Sequence, residues 1–72
     1  MGGVTATSAQ AAPCGGYETS SWAYYNHCGS GYIQIKVDRN WPTKDTYQCV
    51  GPGITGLGTA SGVNRSWYVG GC

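Results

Sequence analysis

Phenylalanine is absent from this 72-residue chain, and charge nearly so: four Lys and Arg stand against three Asp and Glu, with a single His. Lys36, Arg39, Lys44 and Arg65 are too few and too scattered to form the clustered patch that displaces counterions from phosphates, so nucleic acid is not an expected partner. No hydrophobic run approaches the roughly 20 residues that a membrane-spanning helix needs, and there is no basic amphipathic stretch, so a membrane is not expected either. Closely spaced cysteine pairs are missing too. Structural zinc sites use such pairs to wrap a tight backbone knuckle around the ion, so Cys14, Cys28, Cys49 and Cys72 are not expected to hold a metal. Nothing in the sequence calls for a cofactor.

The scarcity of histidine and carboxylate limits catalysis in the same way. His27 is the one candidate general base, Ser20 and Ser21 the candidate nucleophiles, and Glu18, Asp38 and Asp45 the only acids. A base needs a nucleophile and an orienting group within hydrogen-bond reach, and no spacing here favours one pairing over another. Asp38 and Asp45 flank one expected turn, yet paired turn carboxylates on a domain this small do not enclose a glycoside. Hydrolytic catalysis is not expected, and His27 is kept as a possible polar site residue.

A chain of this length forms one domain, expected as a monomer, and hides only about 60% of the surface its unfolded state exposes. Four cysteines therefore read as a disulfide framework made in an oxidising compartment. They allow three pairings. Cys14–Cys28 with Cys49–Cys72 is preferred, because each bond then closes one compact loop. Ala9-Gln10-Ala11 fits the small-x-small rule of a signal-peptidase site, so residues 1–12 are expected to be a disordered leader and signal-peptide remnant, and residues 13–72 the folded domain of a secreted protein. There is no internal repeat, and no linker follows Pro13.

What the chain has in plenty is glycine, thirteen residues of it, spread so as to disfavour helices. Between the Gly, Pro and Asn clusters lie β-branched and aromatic runs, the pattern of strands and turns. The clearest is Tyr32–Arg39, where Ile33, Ile35 and Val37 alternate with Gln34, Lys36 and Asp38. Arg39–Asp45 reads as a turn around Pro42, Thr46–Val50 as the return strand with Tyr47 and Cys49 on one face, and Gly51–Gly53 as a second turn. Ile54–Leu57 is a further short strand, with Gly56 and Gly58 marking a bulge or close backbone approach. In Val63–Val69 the alternation puts Val63, Trp67 and Val69 on one face. Tyr17–Tyr25 puts Trp22 and Tyr24 on one side, with Tyr17, Ala23 and Tyr25 on the other. The fold class is all-β, a small antiparallel sandwich of about six short strands with two disulfides.

The aromatic set is three Trp and six Tyr. Each of these rings carries a polar edge, the composition that binding surfaces favour. Base rates of burial assign about half of them to the core, with Tyr32, Tyr47 and Trp67 as candidates. Trp22, Tyr24, Tyr25 and, on a turn tip, Trp41 are the candidate binding residues. Their target would be a protein, a glycan or a small molecule. Asn64-Arg65-Ser66 matches the glycosylation sequon, a pattern that arises often by chance.

Ser21-Trp22-Ala23-Tyr24, Cys28, the Ile33–Val37 strand, Cys49, Pro52-Gly53-Ile54-Thr55 and Tyr68 before Cys72 together resemble the tendamistat family, small α-amylase inhibitors of Streptomyces. The resemblance covers about Cys14–Cys72 and implies a six-stranded sandwich with sequential disulfides. It also implies a Trp-Arg-Tyr triplet on a turn, whose arginine enters the amylase cleft. Trp22 and Tyr24 match that triplet, but Ala23 stands at the arginine position. Removing such a charge from an interface typically costs about 2–5 kcal/mol, so amylase inhibition is not carried over. Ala23–Cys28, Tyr47–Gly53 and Trp67–Cys72 also look like small exported actinobacterial proteins of unknown function, some labelled as natural-product biosynthesis proteins. That second resemblance implies an alternative role, an accessory that binds or cyclises a small hydrophobic metabolite.

Overall fold

The computed structural model describes residues 12–72, so the expected leader, Ala12 apart, lies outside the described residues. Six strands follow one another: β1 (Gly15–Glu18), β2 (Trp22–His27), β3 (Ile33–Arg39), β4 (Thr46–Val50), β5 (Gly53–Thr59) and β6 (Val63–Gly71). They make two three-stranded antiparallel sheets, ordered β1-β2-β5 and β4-β3-β6, packed as a sandwich. The all-β class, the six strands and the disulfides Cys14–Cys28 and Cys49–Cys72 agree with the expectation from the sequence.

Period-two alternation builds the core. Ile35 and Val37 are fully buried, Ile33 packs beside them, and Ala23, Tyr25, Val50, Leu57 and Val63 complete the cluster. Fully burying a side chain such as Ile or Val contributes about 1.5–3 kcal/mol, so this small set is a modest core and the disulfides matter.

Three readings of facing are corrected by the structure, each for a local reason. The Tyr17–Tyr25 run is two strands, because Thr19 folds it back. The Thr19 hydroxyl accepts from the Ser21 and Trp22 amides at 3.4 and 3.3 Å, and its own amide donates to the Trp22 carbonyl at 2.9 Å. Tyr17 then pairs with Tyr24 and shares its face, instead of facing with Ala23 and Tyr25. In β6 a bulge at Asn64 shifts the phase, with Asp38 opposite Arg65 but Arg39 opposite Val63. Val63 therefore points inward while Trp67, opposite Lys36, points outward. Finally, Tyr32, Tyr47 and Trp67 are 67%, 59% and 38% exposed, so none is core. Among all nine aromatic rings only Tyr25 is buried.

The disulfides are Cys14–Cys28 and Cys49–Cys72, with Cα–Cα distances of 5.7 and 6.1 Å. The first closes the open end of the β1–β2 hairpin, and the second ties β4 to the end of β6. Each bond thus stays within one sheet and contributes about 3 kcal/mol in the chain-entropy picture. Two such bonds in so small a domain are compatible with an extracellular location. Between the sheets, the apolar core is joined by Arg39, whose guanidinium donates from Nη1 to the Leu57 carbonyl at 3.2 Å and from Nε to Thr46 Oγ1 at 3.1 Å.

Candidate functional site

The residues that carry acid–base chemistry are kept apart. Ser20, Ser21 and Glu18 lie at one end of the β1–β2 hairpin and His27 at the other, about 20 Å along a six-residue strand. His27 instead holds the turn that follows it. Nδ1 accepts from the Gly29 amide at 3.3 Å, and Nε2 donates to the Gly31 carbonyl at 2.9 Å, an arrangement that fits one neutral tautomer. Asp38 pairs with Arg65 at 3.5 Å, while Asp45 lies 3.9 Å from Lys36 and accepts the Arg39 amide at 3.0 Å. The two carboxylates serve separate cations and do not flank a common groove.

Five of the nine aromatic residues lie on two outward faces, while Tyr68 stands opposite the buried Ile35. On the β1-β2-β5 sheet, Tyr17, Trp22, Tyr24 and Ile54 point away from the core. The Tyr17 and Tyr24 rings stack across the strands with centroids 5.3 Å apart. The Trp22 indole lies over Gly56, where an added Cβ would stand 2.8 Å from Nε1. Glycine at position 56 is what lets the indole settle against the sheet, the close approach expected from the sequence. Trp22 remains 41% exposed and Ile54 56%. Tyr25 does not join this face. It alternates with Tyr24, packs inward beside Ala23 at 7% exposure, and is withdrawn as a binding residue.

The outward face of the β4-β3-β6 sheet carries a row that sequence reading missed. Lys36 stands opposite Tyr47 on one side and Trp67 on the other, with Nζ 5.6 and 5.9 Å from the two ring centroids. Arg65 lies 5.4 Å from the Trp67 centroid. Rings and cations thus alternate across three strands in the order Tyr47, Lys36, Trp67, Arg65. Contacts of this kind contribute about 0.5–1 kcal/mol each at exposed sites, and here they hold long side chains upright. The outward position of Lys36 was legible in the β3 alternation. Its two partners were not, because the turn length hides one register and the Asn64 bulge hides the other.

Trp41, the last predicted binding residue, is 92% exposed on the β3–β4 turn, beside a cis Trp41–Pro42 peptide. A shallow hollow of about 410 Å³ lies over this turn, lined by Arg39 and Trp41–Asp45. A smaller recess of about 110 Å³ separates β1 and β2 from β6. Asn64 of the sequon is exposed on its bulge, whereas Ser66 packs against Gly16 of the other sheet.

Comparison with curated proteins and with solved structures finds no match. A family model described as Family of unknown function (DUF6355) matches residues 12–72, the whole of the described sandwich, and the chain belongs to that family.

Proposed function

We propose that the protein is a secreted, non-enzymatic binding module that meets a macromolecular target, a protein or a glycan, through aromatic residues on the outside of its sheets. The observation that carries this reading is the placement of the rings: Trp22, Trp41 and Trp67 are all exposed, and eight of the nine aromatic side chains lie outside the core. A domain whose stability is marginal gains most by burying such rings. Leaving them outside is a cost that recognition of a partner offsets, and Trp and Tyr are the residues that dominate binding surfaces.

The shape supports a broad target over a small metabolite. Ligand pockets are concave and commonly about 300–1,000 Å³. The recess between the sheets is well below that, and the hollow near Trp41 is built by a single turn. The sheet faces are open.

Tryptophan fluorescence tests the reading, because every indole reports from the surface. Medium from the producing cells is split by size and each fraction added to the oxidised protein, with acrylamide quenching as the readout. Shielding by the high-mass fraction is expected. Shielding by the low-mass fraction alone would overturn the reading in favour of a small-molecule accessory.

A further inference from the structure

The two outward faces differ in charge. All but one of the chain's seven charged side chains belong to the β4-β3-β6 sheet or to the turn between β3 and β4: Lys36, Asp38, Arg39, Lys44, Asp45 and Arg65. The seventh, Glu18, pairs with Ala23 and so projects from the opposite side of its sheet to Tyr17 and Tyr24. His27 shares the Ala23 and Tyr25 phase, and its ring is tied into the Cys28–Gly31 turn. Among the described residues, the outward face of β1-β2-β5 therefore consists of Tyr17, Trp22, Tyr24 and Ile54 with Asn26 and Thr59 at its margins; its strand phase carries no ionisable acid or base apart from the two phenols, and Glu18 and Arg65 meet Tyr17 and Tyr24 only at the recess between the sheets.

We infer that this face binds an uncharged polysaccharide. The inference rests on the binding-module reading and specifies its target. A neutral glycan offers apolar C–H faces that stack on indole and phenol rings, and hydroxyl groups that suit the polar edges of Trp and Tyr, the Asn26 carbonyl and the Thr59 hydroxyl. It brings no charge to be desolvated, so a charge-free surface is its complement. A protein surface carries ionised groups around any contact, and a face with none gains neither steering nor register from them. The charged row on the opposite sheet supplies those features instead. Gly56 adds the geometric element, since it lets the Trp22 indole lie against the backbone and extend the tyrosine pair as a broad face.

The test is retention of the oxidised protein on insoluble neutral polysaccharides (cellulose, chitin, starch and xylan), with an acidic polymer such as pectate for contrast. Wild-type protein is expected to be retained by at least one neutral polymer, equally at low and at molar salt. Trp22→Ala is expected to weaken retention tenfold or more. Ile54→Glu, a change at a half-exposed position outside the core cluster, is expected to weaken it at least threefold. Trp67→Ala is expected to leave it unchanged. Melting curves of each variant show that the fold is kept. No retention on any neutral polymer overturns the inference, and so does retention that salt abolishes or that depends on Trp67. Retention on pectate through Trp67, or shielding of the indoles by a protein fraction only, overturns this assignment while leaving the binding-module reading standing. Failure of every fraction to shield any indole removes both.

Discussion

Arg39 bridges the two sheets: its Nη1 lies 3.2 Å from the Leu57 carbonyl, the residue bulged out of register where β2 meets β5. The guanidinium donates to the carbonyl at that bulge. With both disulfides confined to single sheets, this contact is a polar link between one sheet and the other. Hydrogen bonds to charged groups contribute about 1.5–3 kcal/mol. Arg39→Ala is expected to destabilise the oxidised domain by about 2 kcal/mol in urea unfolding. A change below about 0.5 kcal/mol, the range of ordinary surface substitutions, would show that the bridge is idle.

Gly16 faces β6 so closely that an added Cβ would stand 2.4 Å from Ser66 Oγ and 2.8 Å from the Ser66 carbonyl oxygen. Gly16→Ala is expected to cost about 1–3 kcal/mol, the range of overpacking. Truncating the neighbour in a Gly16→Ala, Ser66→Ala pair should recover only part of that loss, because the backbone oxygen stays. Full recovery would mean that the hydroxyl alone sets the spacing.

Removing either disulfide as a Cys-to-Ala pair is expected to cost about 3 kcal/mol, slightly more for Cys49–Cys72, whose loop spans 23 residues against 14. The domain lacking both is expected to be unfolded at room temperature. Circular dichroism before and after complete reduction measures this, and a reduced protein that keeps its sheet signature would contradict it.

His27 is expected to act on its turn and on nothing else. Replacing it by Phe removes the acceptor for the Gly29 amide and the donor to the Gly31 carbonyl. Hydrogen exchange at Gly29 should then accelerate at least tenfold, while the β3 amides at the centre of the sandwich keep their protection. A loss of protection spread over the whole domain would assign His27 a wider role.

The strands were largely legible in the sequence, and most of the facing was not. Ile33, Ile35 and Val37 alternate without interruption, so β3 and the inward side of its sheet could be read directly. Trp67 could not be placed, because one extra residue at Asn64 reverses the side chains that follow, up to a second extra residue at Val69, and no composition marks either site. Tyr17 was misplaced for a related reason, since Thr19 makes a tight turn without Gly or Pro to announce it. For the candidate site, Trp22 and Trp41 are exposed and Tyr24 is half-buried on the outward face, whereas Tyr25 is buried. The alternating row of Tyr47, Lys36, Trp67 and Arg65 depends on register between distant strands, which single-residue patterning does not encode.

The three indole N–H resonances give the most direct test of recognition through the outer aromatic residues, because Trp22, Trp41 and Trp67 report on one sheet face, one turn and the other sheet face. A soluble neutral polysaccharide such as hydroxyethyl cellulose or soluble starch is titrated into the ¹⁵N-labelled, oxidised protein. The Trp22 resonance is expected to move saturably while those of Trp41 and Trp67 stay in place. Three unmoved resonances across a panel of neutral glycans, or movement confined to Trp41 or Trp67, would contradict it.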